Sequence, residues 1–534
     1  MTMFLLISST GILNGLQTSS NVFLSPMPEA HWCDVPELAN LGWSDEQIRA
    51  VSVPNSEKEQ SCKMYIRNYT ELEGKSSDEL KKYLADHVDD PTTSCKSGMK
   101  YMQEDNTSIV PEWGLVCERL YLRSISTTGI YLGKLIGAFL FGIFADKYGR
   151  KTGVLVGSVI FIVSGPIASV TTDYTLFVFL RTLVGLAGIG VYNCCYTLLS
   201  ELAGAKHRAW MSIVINLSYP IGMLILPGIA YRFHLWRDLQ LAISLPALLL
   251  VIHCWFLPES PRWLINKGQS AKAAKIVFGK KYEADIPIKN DPSSPAEEKL
   301  LKDNKTEEQK GYLNKVKNGF KEVTDLFKHT EMRNRLCICL FTWMACSLSY
   351  YAMAINDINL DVNRYIYVVV TATLEMPSYF IPLPLIKYLG RRMVNFILFM
   401  AATACFIPIM AIPAEYAMAL MVISLVGRLF MSGVFAVVIL HTLELFPTSN
   451  RNTASGLSST MANLGGVLAP FIVDLLGAIA WQIPMVICGL LALCSGILVL
   501  LLPETKGKEL CDTPEEIDLP GQGKVSIKNI CNRS

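Results

Sequence analysis

The chain has 534 residues, 51% of them hydrophobic and only 18% charged, whereas a soluble domain usually carries roughly 25% charge; this excludes a disordered chain and argues against a soluble one. Lysine and arginine number 48 against 46 acidic residues, so there is no basic field of the kind that binds nucleic acid. With a mean hydropathy of +0.33 and repeated apolar runs near 20 residues, each enough to cross about 30 Å of hydrocarbon, the chain reads as a polytopic protein whose main partner is the lipid bilayer.

Apolar windows nearly free of charge fall at about 3–24, 125–145, 153–172, 175–199, 211–231 and 240–257, then 336–355, 365–386, 394–412, 416–440, 456–477 and 481–502. That predicts twelve spans, six on each side of a polar connector at 258–335, with a second long polar segment at 25–124. The first run begins almost at Met1 with no Lys or Arg before it. It reads as a transmembrane helix over 1–24 rather than a signal peptide, because the charged leading region and a small-residue cleavage site are both missing.

Lys147, Arg150 and Lys151, then Lys206 and Arg208, Arg391 and Arg392, and Arg451 sit in short loops on one face. The positive-inside bias makes that face cytoplasmic, together with both termini, the connector and the tail at 503–534, in a plasma-membrane protein. Residues 25–124 are then extracellular. Cys33, Cys62, Cys95 and Cys117 form an even set there and predict two disulfides, with three pairings open. Asn68-Tyr-Thr and Asn106-Thr-Ser are glycosylation sequons in the same segment.

The two groups of six repeat one another. Gly149 and Gly390 are 241 residues apart, Glu201 and Glu444 243, Glu259 and Glu504 245, and Arg181 and Arg428 247. Landmarks at nearly constant offset mean two copies of a six-helix unit. Asp146 beside Arg150, and Glu201 near Arg208, are placed to form ion pairs that hold the halves closed on the cytoplasmic side. Arg262, Arg391, Glu444 and Arg451 complete this candidate gate, against the plainer reading that the cations only anchor topology.

The ten residues Gly142-Ile-Phe-Ala-Asp146-Lys147-Tyr-Gly149-Arg150-Lys151 resemble the signature of the major facilitator superfamily. Glu112-Trp113, Trp236-Arg237-Asp-Leu239-Gln240, Pro258-Glu-Ser-Pro-Arg262-Trp263-Leu264 and Glu444-Leu-Phe-Pro447-Thr-Ser-Asn-Arg451-Asn452 resemble the organic cation/anion/carnitine transporters within it. The resemblance implies an all-α membrane protein of twelve transmembrane helices in two pseudo-symmetric six-helix bundles, the major facilitator fold. It also implies a secondary transporter moving small organic ions, cations or carnitine-like zwitterions, by alternating access. An organic anion carrier or sugar porter of the same superfamily is the alternative, and a receptor is less favoured. Lys387 departs from the acidic residue usual in the second signature.

Lys134 and Glu375 each lie about ten residues inside their spans, about 15 Å deep and near the midplane, and they stand 241 residues apart as the repeat does. Intramembrane charges mark function by default. The expected arrangement is either a Lys134–Glu375 pair or a zwitterion held between them. Asn463 occupies the position that the resemblance makes acidic in cation carriers and basic in anion and carnitine carriers. Tyr219, Trp343, Tyr350, Tyr351 and Tyr379 offer ring faces to an ammonium. Gly129-Ile-Tyr-Leu-Gly133-Lys134-Leu135 lacks the spacing and the Ser/Thr of a phosphate-binding loop, so ATP is not expected. No metal, cofactor or enzymatic constellation is expected either.

Overall fold

The computed structural model describes residues 2–278 and 324–507, except 29, 41–42, 55–61, 70–82, 84–86, 88–89, 103–106, 203–204, 325, 357–362 and 448–449. Asn106, most of the connector and the tail beyond 507 lie outside the described residues, as does the side chain of Arg208.

Twelve helical segments match the twelve apolar windows. The first six are Thr2–Ser19, Leu120–Tyr148, Arg150–Val170, Tyr174–Leu202, Ala205–Arg232 and Trp236–Ser244, the last continuing through Leu245–Leu249 to Leu250–Phe256. The second six start with Thr330–Ala354, Arg364–Ser378 with Pro382–Leu389, and Arg391–Phe406. Ala417–Leu445, Arg451–Phe471 and Ile483–Leu501 complete them. Ten of the twelve are long and apolar enough to cross a membrane by composition alone. The first is not among these because it carries Thr10, Asn14, Gln17 and Thr18, all buried against neighbouring helices rather than facing lipid.

Each half has its own core. One apolar cluster draws on residues 7–257 and takes in Val368 of the eighth helix, the other on 326–502. The second and fourth helices approach through glycine: a Cβ on Gly133 would lie 2.0 Å from Thr182 O, and one on Gly185 2.2 Å from Ile130 O. Gly185 and Gly190 are therefore packing residues, with Phe141 against Gly190. Across the halves the second helix packs on the eleventh and the fifth on the eighth. The eighth breaks after Ser378, where Pro377 and Pro382 remove two backbone donors.

The segment after the first helix folds on itself at one end of the bundle, here termed the loop end. His31–Cys33 pairs antiparallel with Met99–Tyr101, and Lys63–Tyr65 with Thr92–Ser94. Disulfides join Cys33 to Cys95 and Cys62 to Cys117, which resolves the three pairings left open by the sequence. Arg67 ties the layer together, its side chain 2% exposed, 2.6 Å from Asp90 and stacked on Tyr65. At the bundle, Glu112 accepts from Trp236 Nε1 and from Arg237 Nη2, and Arg237 donates to Ser169 O at 2.9 Å. Two motifs 124 residues apart are thus the two halves of one clamp.

Candidate functional site

The end opposite the loop end carries the repeated charge motifs, and both halves build it alike. Gly149 and Gly390 end the second and eighth segments at φ of 105° and 87°, a region other residues avoid. A carboxylate then sits on the exposed amides of the next helix, where the helix dipole favours a negative charge. Glu259 accepts from Arg150 N at 2.8 Å and Lys151 N at 3.2 Å; Glu504 accepts from Arg391 N at 2.9 Å and Arg392 N at 3.0 Å. A Cβ on Gly149 would stand 2.3 Å from Glu259 Oε2 and one on Gly390 2.6 Å from the Glu504 carboxyl, so glycine is doubly required.

Arg150 binds Asp146 at 3.1 Å and Glu201 at 3.3 Å, and Arg391 binds Glu444 at 2.9 Å. These pairs stay within one half. Among the described residues no ion pair crosses the halves at this end: Arg451 leaves Nε and Nη2 without a partner, Arg262 is exposed, and the expected Glu201–Arg208 pair lies outside the described side chains. Arg150 and Arg391 each follow a glycine turn and reach a glutamate of their own bundle. Asp146 is 66% exposed while Glu201 is 14% exposed, so solvent screens the first pairing far more than the second. Glu201→Gln should therefore reduce initial uptake several-fold more than Asp146→Asn, compared at equal surface abundance.

The ion pair that joins the halves lies at the loop end and was not anticipated. Arg123, at the start of the second helix, binds Asp474 in a short π-helical turn, Ile472–Leu476, that ends the eleventh. Both side chains are buried, at 6% and 4% exposure. Ser124 Oγ donates to the other Asp474 oxygen at 2.8 Å, Arg123 Nε donates to Ser25 O at 2.8 Å, and Thr128 Oγ1 donates to Val467 O at 3.1 Å. The Asp474 position is set by the π turn, which shifts register locally and recurs at functional places in helices.

Below this closure, ring systems from both halves meet. Tyr131 packs on Tyr351 with centroids 4.6 Å apart, and Tyr351 on Tyr350 at 5.1 Å. Glu375 is 3% exposed and accepts from the Tyr350 hydroxyl and, at 3.3 Å, from Tyr379. Its ionic partner is Arg428 of the tenth helix at 3.1 Å, whose guanidinium lies 4.5 Å from the Tyr350 ring centre. The expected Lys134–Glu375 pair is thus not formed, because Arg428 from the adjacent helix of the same half already neutralises Glu375. Lys134 instead donates to Thr18 Oγ1 at 2.6 Å and faces Tyr131 and Tyr219, each at 5.8 Å.

Of two further expected lining residues, one packs inside its own bundle and the other bonds within its own helix. Trp343 donates to Thr442 Oγ1 at 2.9 Å and packs on Phe435 inside the C-terminal bundle. Asn463 turns its amide back to Ser459 O of its own helix at 3.0 Å.

The family model described as sugar (and other) transporter matches residues 78–517. Solute carrier family 22 member 3 of Mus musculus is 31% identical, covering 98% of this chain and 93% of that protein. The chain belongs to the sugar (and other) transporter family and to solute carrier family 22. The organic cation transporter protein of Drosophila melanogaster is 29% identical over 93% of this chain and 88% of its own length, and solute carrier family 22 member 2 of Homo sapiens is 30% identical with the same coverage. The partially occluded inward-open xylose transporter XylE from E. coli, a major facilitator superfamily protein, has the same fold, with a TM-score of 0.56 at 15% identity over 96% of this chain and 100% of that one. The family member described here is accordingly a multi-pass membrane transporter of the major facilitator fold and not an enzyme. Its repeated motif residues were legible as a repeat, and Arg428 was legible as the counterpart of Arg181, whereas Asp474, a charge inside an apolar window, carried a signal that was not used.

Proposed function

We propose that the protein moves small organic cations or zwitterions across the plasma membrane by alternating access between its two halves, with the loop end outside and both termini in the cytoplasm. The observation that carries this reading is the central cluster. Tyr131, Tyr219, Tyr350, Tyr351 and Tyr379 present ring faces and hydroxyls around one buried carboxylate, Glu375, where the halves meet. Aromatic faces with a nearby anion suit a quaternary ammonium, which offers no hydrogen-bond donor and is held by cation-π attraction. The Drosophila melanogaster relative named organic cation transporter protein supports the same substrate class.

Alternating access also accounts for the charge layout. The Arg123–Asp474 pair closes the outside in this state, while Glu201, Arg150, Glu444 and Arg391 rigidify the inner rim of each half. Saturable, choline-competed uptake of a radiolabelled quaternary ammonium into proteoliposomes is the expected result; linear, uncompeted uptake would remove the reading. The orientation predicts glycans at Asn68 and Asn106. Enzymatic deglycosylation should increase gel mobility of the parent and leave the Asn68→Gln/Asn106→Gln double variant unchanged, whereas a parent that shows no shift would place the loop end on the cytoplasmic side.

A further inference from the structure

The buried cations of the bundle differ in the kind of partner that holds them. Arg428 is held by Glu375 and Arg123 by Asp474. Arg181 has no carboxylate, but its guanidinium donates to Ser20 Oγ at 3.0 Å, Gln240 Oε1 at 3.2 Å and Asn21 Oδ1. Such partners suit arginine, which stays protonated in proteins, whereas a buried lysine changes its charge state readily. Lys134 is 5% exposed, and no described carboxylate lies within ion-pair distance of it. Its ammonium has three protons to place, and among the described residues it donates one, to Thr18 Oγ1. The Tyr131 and Tyr219 rings at 5.8 Å attract a cation weakly and pack equally well against a neutral amine. The Thr18 hydroxyl also serves either form. Facing an ammonium it accepts and sends its own proton to Asn14 O at 2.7 Å; facing an amine it turns that proton to the lysine nitrogen. A carboxylate would pin the positive form, and a hydroxyl does not.

The titratable groups on the elements packed around Lys134 leave that freedom intact. They are Tyr131 on its own helix, Tyr219 on the fifth, Tyr351 of the seventh stacked on Tyr131, and Arg181 on the fourth. The first helix carries none over Thr2–Ser19. The third and eleventh have Arg150, Lys151 and Arg451 only at the rim, and the π turn after the eleventh has Asp474, which Arg123 and Ser124 occupy.

We propose that Lys134 is a proton carrier and that the protein exchanges one proton for each organic cation it moves. The inference rests on the organic-cation reading above and adds its driving force. Arg428 already neutralises Glu375, so a cation entering the ring cluster adds net charge beside Lys134, whose neighbour Tyr131 packs on Tyr351. Two uncompensated charges buried together are costly. Loss of a proton from Lys134 Nζ as the cation arrives, to the water on whichever side the site faces, leaves the charge of the site unchanged. Only the N–H bond breaks, and the nitrogen keeps the electron pair. The empty carrier takes the proton back before it returns, so each cycle moves a cation one way and a proton the other. Intramembrane ionisable groups serve as proton relays in this manner.

Choline is the probe, because its own charge does not change with pH. Proteoliposomes of the parent with an acidic lumen should take up choline several-fold faster than those with equal pH on both sides, toward a limit of about tenfold accumulation per pH unit. A lumenal pH dye should report proton efflux in step with choline entry, and an imposed membrane potential should leave the rate unchanged. In Lys134→Met and Lys134→Gln the ratio of uptake with and without the gradient should fall to one and the proton efflux should cease. Lys134→Arg, which cannot release its proton, should lose most choline uptake. Choline uptake by the parent with no proton efflux and no response to the gradient overturns the exchange and leaves organic-cation transport standing. A gradient response that survives in Lys134→Met and Lys134→Gln, or parental behaviour in Lys134→Arg, assigns the proton to another group and overturns the role of Lys134. Failure of both neutral variants to fold makes Lys134 a structural group and also overturns it. A parent that carries no choline at any pH defeats the organic-cation reading, and this inference with it.

Discussion

Replacing Asp474 with Asn should slow turnover at least tenfold and leave the loop end of the central path open to reagents applied from outside. The pair it breaks is buried on both sides and is the ion pair that ties the second helix to the eleventh. Removing one partner of such a pair strands the other charge, at a cost of about 3–5 kcal/mol. Each 1.4 kcal/mol is about tenfold in an equilibrium, so the closed state would lose two powers of ten or more in population. The carrier then lingers outward-open and returns slowly. A cysteine at Thr128, whose hydroxyl bonds Val467 O just below the pair, reports this through labelling by a membrane-impermeant maleimide. The Arg123→Asp/Asp474→Arg double variant should regain part of the rate. Parental uptake and parental labelling in Asp474→Asn would mean that the closure does not depend on this pair.

Glu375→Gln should be more damaging still, and for two separable reasons. It removes the anion from the ring cluster, and it leaves Arg428, 4% exposed, with no countercharge. Surface abundance and uptake should both fall steeply. Adding Arg428→Gln removes the stranded cation and should restore surface abundance, because replacing both members of a buried pair is far less costly than removing one. Uptake of choline should stay below a tenth of the parental rate in the double variant. Full recovery of uptake would assign the pair to stability alone and take Glu375 out of the binding site.

These two pairs show where the sequence was readable and where it was not. Hydropathy located the spans to within a few residues because lipid imposes one dominant demand on every exposed side chain, satisfied backbone and apolar surface. Pairing did not follow. Glu375 has Lys134 at its repeat-equivalent position and Arg428 on a neighbouring helix 53 residues away, and only packing decides between them. The motif charges were legible as a set, yet whether Arg150 reaches across the halves or back along its own bundle depends on the direction the chain leaves Gly149. The disulfides, likewise, needed the folding of the segment after the first helix, which brings Cys33 to Cys95 and Cys62 to Cys117.

The carboxylate caps at Glu259 and Glu504 carry a consequence for how the two copies have diverged. They are superimposable devices: a glycine turn, a glutamate on the next helix's first amides, an arginine reaching to a second glutamate one helix over. Such a rim is under the same mechanical demand in both copies and tolerates little drift. The interior is not under a shared demand, and there the copies part company: Lys134 has Glu375 as its repeat counterpart, and Leu198 has the buried His441. His441, held between Asn395 and Pro503 O, has no counterpart to inherit its role from. In a duplicated carrier the places where the internal symmetry fails are a map of specificity that needs no second sequence to draw.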